Sequence, residues 1–230
     1  MFTEYLREHP LQEEQICSKE AFHPFPRPGE HPLRELIGEK HTKLAVQRAE
    51  HYLNHVWEVL PAVRYMDFAR NGDRSRYQEP YARRRNALLA LLEGEMLEDQ
   101  GRFLDDIING VWAVCEETSW VVPAHKNNQE KEWIDPLPIA EKLPYIDLFS
   151  AETAALLAWV YYFLKERLDR QSRAVCRRIE LEVERRIIEP YLYTYDSFWM
   201  QITNPNEIAN NCNPWIHMNC LTAVFILERD

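Results

Sequence analysis

A stretch that is apolar on nearly every side limits what this chain can fold into. Residues 148 to 164 are alanine, leucine, valine and aromatic residues with two small hydroxyl residues, and Glu152 is the only charged residue among them. A helix without a polar side has to be enclosed by other elements, and this one is shorter than the roughly 20 residues that cross a bilayer. We therefore expect a helix over residues 148–168 that lies inside a bundle of further helices.

Four further segments have the spacing of helices that would enclose it. Apolar residues recur at steps of three and four over residues 33–60, 80–98, 102–116 and 172–193. The short break at residues 99–101 predicts that the second and third of these form an antiparallel hairpin. Hairpins that pair an enclosed helix with an amphipathic one predict the inner and outer layers of an α/α array. With only 6 glycines in 230 residues, the expected fold class is all-α.

The N-terminal part has a different pattern. Prolines at positions 24, 26 and 28 exclude a helix and restrict the residue before each of them. We expect residues 1–32 to form an extended segment on the surface, followed by one helical domain over residues 33–230.

Charge and targeting features narrow the classes of function. A net charge of −10 argues against a nucleic-acid partner. The acidic N-terminus lacks the apolar core of a signal peptide, and no apolar run is long enough to span a membrane. The 5 cysteines are odd in number and lack the spacing of small secreted proteins, which indicates free thiols in a reducing compartment. These features predict a cytoplasmic protein without a membrane partner.

Two groups of residues that could ligate a metal ion are weak candidates for a metal site. His51 and His55 stand four residues apart in a predicted helix, but no second group of ligands accompanies them. Cys212, His217 and Cys220 are better explained by packing and capping of one helix end. We therefore expect no metal and no cofactor.

A polar cluster precedes the last apolar segment. It contains four asparagines, a tryptophan and a histidine: Asn210, Asn211, Asn213, Asn219, Trp215 and His217. Asn213 followed by Pro214 predicts a helix start, and neutral donors beside a helix N-terminus suit a carboxylate or phosphate. The alternative is a capped turn that satisfies its own backbone.

A long connection lies between the third and fourth predicted helices. It runs to Asp147 and is rich in proline, and Trp120, His125 and Trp133 lie in or beside it. Connections this long are often binding loops, and indole rings stack on flat apolar surfaces, so the residues indicate a carbohydrate or peptide platform. The alternative is that both indoles anchor the loop to the helices beneath.

Three stretches in this order resemble one family. EETSWVVPAH at residues 116–125, IDLFSAETAALLAW at residues 146–159 and NNCNPW at residues 210–215 are similar to the N-terminal helical domain of heparinase II/III-like proteins. The resemblance covers roughly residues 33–230. It implies an incomplete α/α toroid of antiparallel helical hairpins, with a β-sandwich domain after it. It further implies a cleft for an acidic polysaccharide or oligosaccharide that is cleaved by β-elimination.

The resemblance also implies roles for particular residues. Asn210 and Asn211 would neutralise the uronate carboxylate, which acidifies the C5 proton, and His217 would act as an acid or base. The sugar cleft would be lined by Trp120, His125, Trp215, Glu117 and Asn213. The sequence departs from the family pattern at Cys212, where the family has tryptophan, and at residues 216–218, which leaves the role of His217 open.

The sequence leaves several alternatives beside this interpretation. Because the chain stops at Asp230, we expect it to be the helical part of a longer protein, with the β-sandwich domain missing. We expect this part to be catalytically incomplete alone. The sequence leaves open whether it forms a homodimer. An anionic polymer would need a basic lining, for which Lys126, Arg64 and Arg70 are the loop candidates. The other functions are a non-catalytic glycan- or protein-binding α/α scaffold and a glycoside hydrolase. The hydrolase would take its carboxylates from Glu116, Glu117 and Asp147.

Overall fold

The structure is a computed structural model that describes most of the chain. The described residues are 7–10, 12, 17–18, 21–29, 33–126, 135–139, 144–194, 199–200 and 211–228. The regular secondary structure among them is helical and includes no strand. The all-α prediction is therefore confirmed. None of the helices in these ranges has the length and apolar character needed to cross a membrane.

The helices follow one another along the chain with short connections in the first half. They are α1 (Leu33–Ile37), α2 (Glu39–Glu50), α3 (Ala62–Asn71), α4 (Ser75–Glu98), α5 (Leu104–Cys115), α6 (Leu148–Gln171), α7 (Arg173–Val183), α8 (Glu189–Tyr193) and α9 (Cys212–Leu227). A 3₁₀ turn at Pro123–His125 and a π-helical segment at Glu184–Ile188 complete the regular structure of the described residues from Leu33 onward.

Helix α6 occupies the centre, as its apolar sequence predicts. It packs against α4, α5, α7 and α9, and small residues such as Ala154 and Ala158 are fully buried along it. Asp147 caps its start, because the Asp147 carboxylate accepts from the Ser150 amide while the Ser150 hydroxyl accepts from the Asp147 amide. The position of this helix end is thus set by two reciprocal hydrogen bonds.

The hairpin of α4 and α5 forms at the predicted break. Asp99 and Gly101 both take the left-handed conformation, with φ of 63° and 81°. The buried carboxylate of Glu95 accepts from the Gly101 and Phe103 amides and pairs with Arg167 of α6 at 2.8 Å. The turn is therefore tied to the central helix as well as to its own hairpin.

The prediction of one helix over residues 33–60 is wrong. Gly38, with φ of 84°, separates α1 from α2, and α2 ends at Glu50. The Asp106 carboxylate of α5 accepts from the Asn54 and His55 amides at 2.9 and 3.2 Å, which holds this segment in a turn. Val56, expected on a buried face, is 83% exposed. Pro61 then starts α3, a helix that the sequence analysis did not predict.

The segment 172–193 is helical but not uniform. A π-helical turn interrupts it, and there the Arg186 guanidinium is buried and donates to the carbonyl oxygens of Cys115 and Glu117. Glu182, also buried, accepts from Arg186 at 2.7 Å. The expectation that these charges form a solvated outer face is wrong for this pair, because the i→i+5 turn changes the helical register and Arg186 reaches the backbone at the end of α5.

Residues 21–29 lie against the helical body without forming a helix. Phe22 contacts Phe225 of α9, with ring centroids 6.0 Å apart, and Phe25 contacts Trp159 of α6 at 5.6 Å. The Tyr162 hydroxyl donates to the Phe25 carbonyl oxygen at 2.5 Å. Aromatic contacts therefore hold this part of the proline-rich segment in place.

Candidate functional site

The start of α6 gathers side chains from three distant parts of the sequence. We call this group the α6 corner, and it consists of His125, Tyr145, Asp147, Glu152 and Trp215. His125 comes from the long connection, Trp215 comes from the first turn of α9, and the other three belong to α6 or precede it directly.

His125 and Asp147 form the most defined pair of the corner. The His125 Nδ1 lies 2.9 Å from the Asp147 Oδ2, and Phe149 stacks on the imidazole at a centroid distance of 5.4 Å. Asp147 is buried, whereas the His125 side chain keeps 24% exposure. A carboxylate that accepts from Nδ1–H fixes the ring and leaves Nε2 for other partners, which is the arrangement used for proton transfer.

Glu152 and Trp215 form a second pair one and a half turns further along α6. The Trp215 indole N–H donates to the Glu152 Oε1 at 2.9 Å, and the indole remains 48% exposed. Burial raises the pKa of Glu152, and the charge of Asp147 adds to this effect. Sequence reasoning missed Glu152, although its place as the only charge in an apolar stretch was a usable signal.

Tyr145 connects the corner to the start of α9. Burial raises the pKa of the Tyr145 hydroxyl, and the neighbouring Asp147 and Cys212 contribute in the same direction. The Tyr145 phenol is thus near both the buried Asp147 and Cys212, the first residue of α9.

Two asparagines of the cluster, Asn213 and Asn219, donate to the protein's own backbone. The Asn213 side-chain amide donates to the carbonyl oxygens of Trp199 and Met200, both at 3.0 Å, and the Asn219 amide donates to the Trp215 carbonyl oxygen. Helix α9 begins at Cys212, and Asn211, at the capping position, is exposed and makes no capping hydrogen bond. The prediction that Asn213 caps the helix is therefore wrong, whereas Pro214 lies in the first helical turn, as predicted. Asn210 lies outside the described residues.

His217 lies apart from the contacts of the α6 corner. Its Nδ1 is 2.7 Å from the Tyr191 hydroxyl oxygen, and its ring contacts Trp199 at a centroid distance of 5.2 Å. Burial lowers the pKa of His217, which favours the neutral imidazole. Residues two apart on a helix point to different sides, so Trp215 faces α6 while His217 faces α8.

Trp120 and Glu117, expected at the sugar cleft, are buried. Trp120 is 2% exposed, its indole N–H donates to the Val114 carbonyl oxygen at 2.9 Å, and Arg186 lies over its ring at 4.7 Å. This is the anchoring arrangement, which leaves no face of the Trp120 ring open for a sugar. Trp133 lies outside the described residues.

Glu117 is part of a buried ion cluster. Its two carboxylate oxygens pair with Arg84 at 3.1 Å and with Arg85 at 2.6 Å. Arg85 also lies over the Tyr81 ring at 3.2 Å and donates to the Thr153 hydroxyl of α6 at 2.9 Å. Glu117 is held by two guanidinium groups and Asp147 by His125, so two of the three carboxylates named for a hydrolase are engaged, while Glu116 is exposed.

The residues considered for a basic lining and those weighed as metal ligands lie in other settings than their sequence spacing suggests. Arg64 and Arg70 lie on α3 rather than on a loop, and Lys126 donates to the carbonyl oxygens of Asp135 and Leu137. The helical spacing of His51 and His55 does not hold because α2 ends before them. Within the described ranges, no group of three histidine, cysteine or acidic side chains is arranged to hold a metal ion.

Comparison with known proteins identifies no family for this chain. No protein-family model matches the sequence, and no curated protein matches it.

Proposed function

We propose that this chain is the helical domain of a polysaccharide lyase that cleaves uronic-acid-containing polysaccharide by β-elimination, built as an incomplete α/α toroid. The observation that carries the proposal is the meeting of the three family-like stretches at the start of α6. His125 of the first stretch contacts Asp147 of the second, and Trp215 of the third contacts Glu152 of the second. Stretches that resemble one family thus contact one another although they are far apart in sequence.

The residue types at this end suit β-elimination. The reaction removes the C5 proton of a uronate, builds negative charge on the carboxylate side and expels the C4 oxygen, so it needs donors, a base and an acid. We assign the proton transfer to His125, which Asp147 orients, and the carboxylate contact to Asn211, with Asn210 beside it in sequence. The exposed Trp215 ring would stack on a sugar. His217, neutral and bound to Tyr191, would support the start of α9 rather than transfer the proton.

The proposal is tested with the full gene product and a panel of uronic-acid polysaccharides. Elimination produces an unsaturated uronide that absorbs in the ultraviolet. We expect His125→Gln to lower kcat by about two to four orders of magnitude, the usual contribution of a general acid or base. The exposed His51 provides the matched control, and His51→Gln should leave kcat unchanged.

Three outcomes separate the candidate functions. Reducing ends without ultraviolet absorbance would replace the lyase by a hydrolase. Saturable polysaccharide binding without either product would replace it by a non-catalytic glycan-binding scaffold. An unchanged rate in His125→Gln together with unsaturated product would remove His125 from the reaction and leave the lyase proposal in place.

A further inference from the structure

A small cavity lies between the long connection and the π-helical turn, and we call it the π-turn cavity. It has a volume of about 50 Å³ and is lined by residues 118–121, by parts of the long connection, by the start of α6 and by the π turn. Its charged lining residues are Lys126, Arg185 and Arg186, and no acidic side chain is among the described residues that line it. In a chain of net charge −10, a lining whose described charges are all positive favours an anion.

Arg186 brings a buried donor to the π-turn cavity. Its side chain is 5% exposed, its Nε donates to Glu182, and its Nη2 donates to the carbonyl oxygens of Cys115 and Glu117. Its Nη1 has no hydrogen-bond acceptor among the described residues, and this nitrogen keeps accessible surface. A charged donor without an acceptor is costly inside a protein, so a ligand oxygen at the Arg186 Nη1 would be favoured.

The arginines around Glu182 carry more charge than this carboxylate can balance. Glu182 pairs with Arg178 at 3.2 Å, with Arg185 at 2.5 Å and with Arg186 at 2.7 Å. Arg185 uses its Nε and Nη2 for Glu182, and its Nη1 has no acceptor within the described part of the chain. Three guanidinium groups therefore share one carboxylate, and two of these three arginines line the cavity.

Hydroxyl groups complete the lining of the π-turn cavity. They belong to Thr118, Ser119 and Tyr145. The Ser119 Oγ accepts from the Val121 amide, which leaves its O–H to donate. The Thr118 and Tyr145 hydroxyls form no hydrogen bond with other described residues. Lys126 is used differently, because its ammonium donates to backbone carbonyl oxygens of the long connection. The donors directed to a ligand are thus arginine nitrogens and hydroxyl groups.

We propose that the π-turn cavity binds a phosphate group, as free phosphate or as the phosphate of a small monoester. One water needs about 10–15 Å³ of such space, so the cavity holds about four water-sized atoms, the number of oxygens in phosphate. Guanidinium groups form strong charge-assisted hydrogen bonds with phosphate oxygens. The hydroxyl groups can also accept the proton that phosphate retains near its second pKa, about 6. This inference does not depend on the proposed lyase activity.

The test is a calorimetric titration of the chain with sodium phosphate at pH 6.5, in a chloride buffer of constant ionic strength. We expect saturable binding of phosphate and weaker binding of sodium sulfate, which has no proton to donate at this pH. Glycerol 1-phosphate distinguishes the two sources of the group. Tighter binding of glycerol 1-phosphate than of phosphate would assign the site to a monoester, and the reverse order would assign it to the free ion.

Two substitutions in the lining have matched controls elsewhere. Arg185→Gln removes one charged donor and should raise the Kd for phosphate by about tenfold, which corresponds to about 1.4 kcal/mol. Thr118→Val removes a hydroxyl group and should raise the Kd by about threefold to fivefold. Arg177→Gln removes the same charge from α7, where Arg177 pairs with Glu180 outside the cavity. Thr222→Val removes a hydroxyl group from α9. Both controls should leave the Kd unchanged.

The variants are chosen so that folding does not obscure the result. The Arg185 side chain is 42% exposed and Thr118 is exposed, so neither substitution leaves a cavity in the core. Arg186 is left unchanged, because its other nitrogens hold the end of α5. Far-ultraviolet circular dichroism and thermal melting check each variant, and Thr118→Val provides the test if Arg185→Gln unfolds.

The outcomes separate this inference from the proposed function. No saturable phosphate binding by the wild type would overturn the inference, and so would an equal Kd in the wild type, Arg185→Gln and Thr118→Val. Sulfate that binds as tightly as phosphate would overturn the assignment to phosphate. Phosphate binding that both substitutions weaken, with no unsaturated product from the full gene product, would support the cavity and contradict the lyase.

Discussion

Two buried carboxylates in this protein have opposite kinds of partners. Glu117 pairs with two guanidinium groups, those of Arg84 and Arg85. Asp147 pairs with the imidazole of His125 and accepts from the backbone amides of Val122 and Ser150. Guanidinium groups stay charged at any physiological pH, whereas an imidazole gains and loses its proton. The first arrangement can only hold structure together, while the second can also move a proton.

The largest expected effect comes from removing the first carboxylate. Glu117→Gln leaves Arg84 and Arg85 buried without a counter-charge, and breaking a buried ion pair in this way costs about 3–5 kcal/mol. Denaturant unfolding measures the free energy of unfolding. The exposed neighbour Glu116 supplies the control, since Glu116→Gln should change stability by less than about 0.5 kcal/mol. A loss below about 1 kcal/mol in Glu117→Gln would mean that the ion cluster contributes little to folding.

A smaller effect is expected at the second carboxylate. Asp147→Asn keeps one oxygen for the cap but places an amide where the carboxylate accepts from His125, so we expect a loss of about 1–2 kcal/mol in the free energy of unfolding. Thermal melting measures it. Asp147→Ser retains capping ability and removes the contact with His125, which separates the two contributions. A variant as stable as the wild type would show that Asp147 caps α6 weakly, and the comparison with Glu117 would lose its basis.

The sequence predicted the parts of the fold that follow from local patterns. The enclosed helix α6 and the α4–α5 hairpin follow from apolar spacing and turn residues. The end of α2 could not be predicted because the Asp106 carboxylate that holds the next turn lies about fifty residues further along. Likewise, nothing in the spacing of residues 172–193 marks the π turn that buries Arg186.

The sequence predicted which residue types belong to the candidate site but not which side chains they contact. His125 and Trp215 were expected at a sugar site, but their partners Asp147 and Glu152 depend on how α6 packs. Trp120 and Asn213 carry the side chains of a binding site and are used for internal hydrogen bonds. An indole or amide in the sequence does not reveal whether its donor meets a ligand or a backbone carbonyl, because that depends on burial.

The smallest expected effect comes from the titration of Glu152. Measuring it sharpens the comparison between carboxylates that pair with permanently charged groups and carboxylates whose surroundings can change protonation. Burial raises the pKa of Glu152 in the folded state, so its protonated form favours folding. This contribution is fully present below the unfolded pKa, about 4.3, and is lost as the pH rises through the folded value. Glu152→Gln, which can still accept from Trp215, should therefore raise stability at pH 7 by a few tenths of a kcal/mol, since Glu152 is only partly buried. Denaturant unfolding at pH 4 and pH 7 measures the difference, and an equal effect at both values would show that ionisation of Glu152 is not its cause.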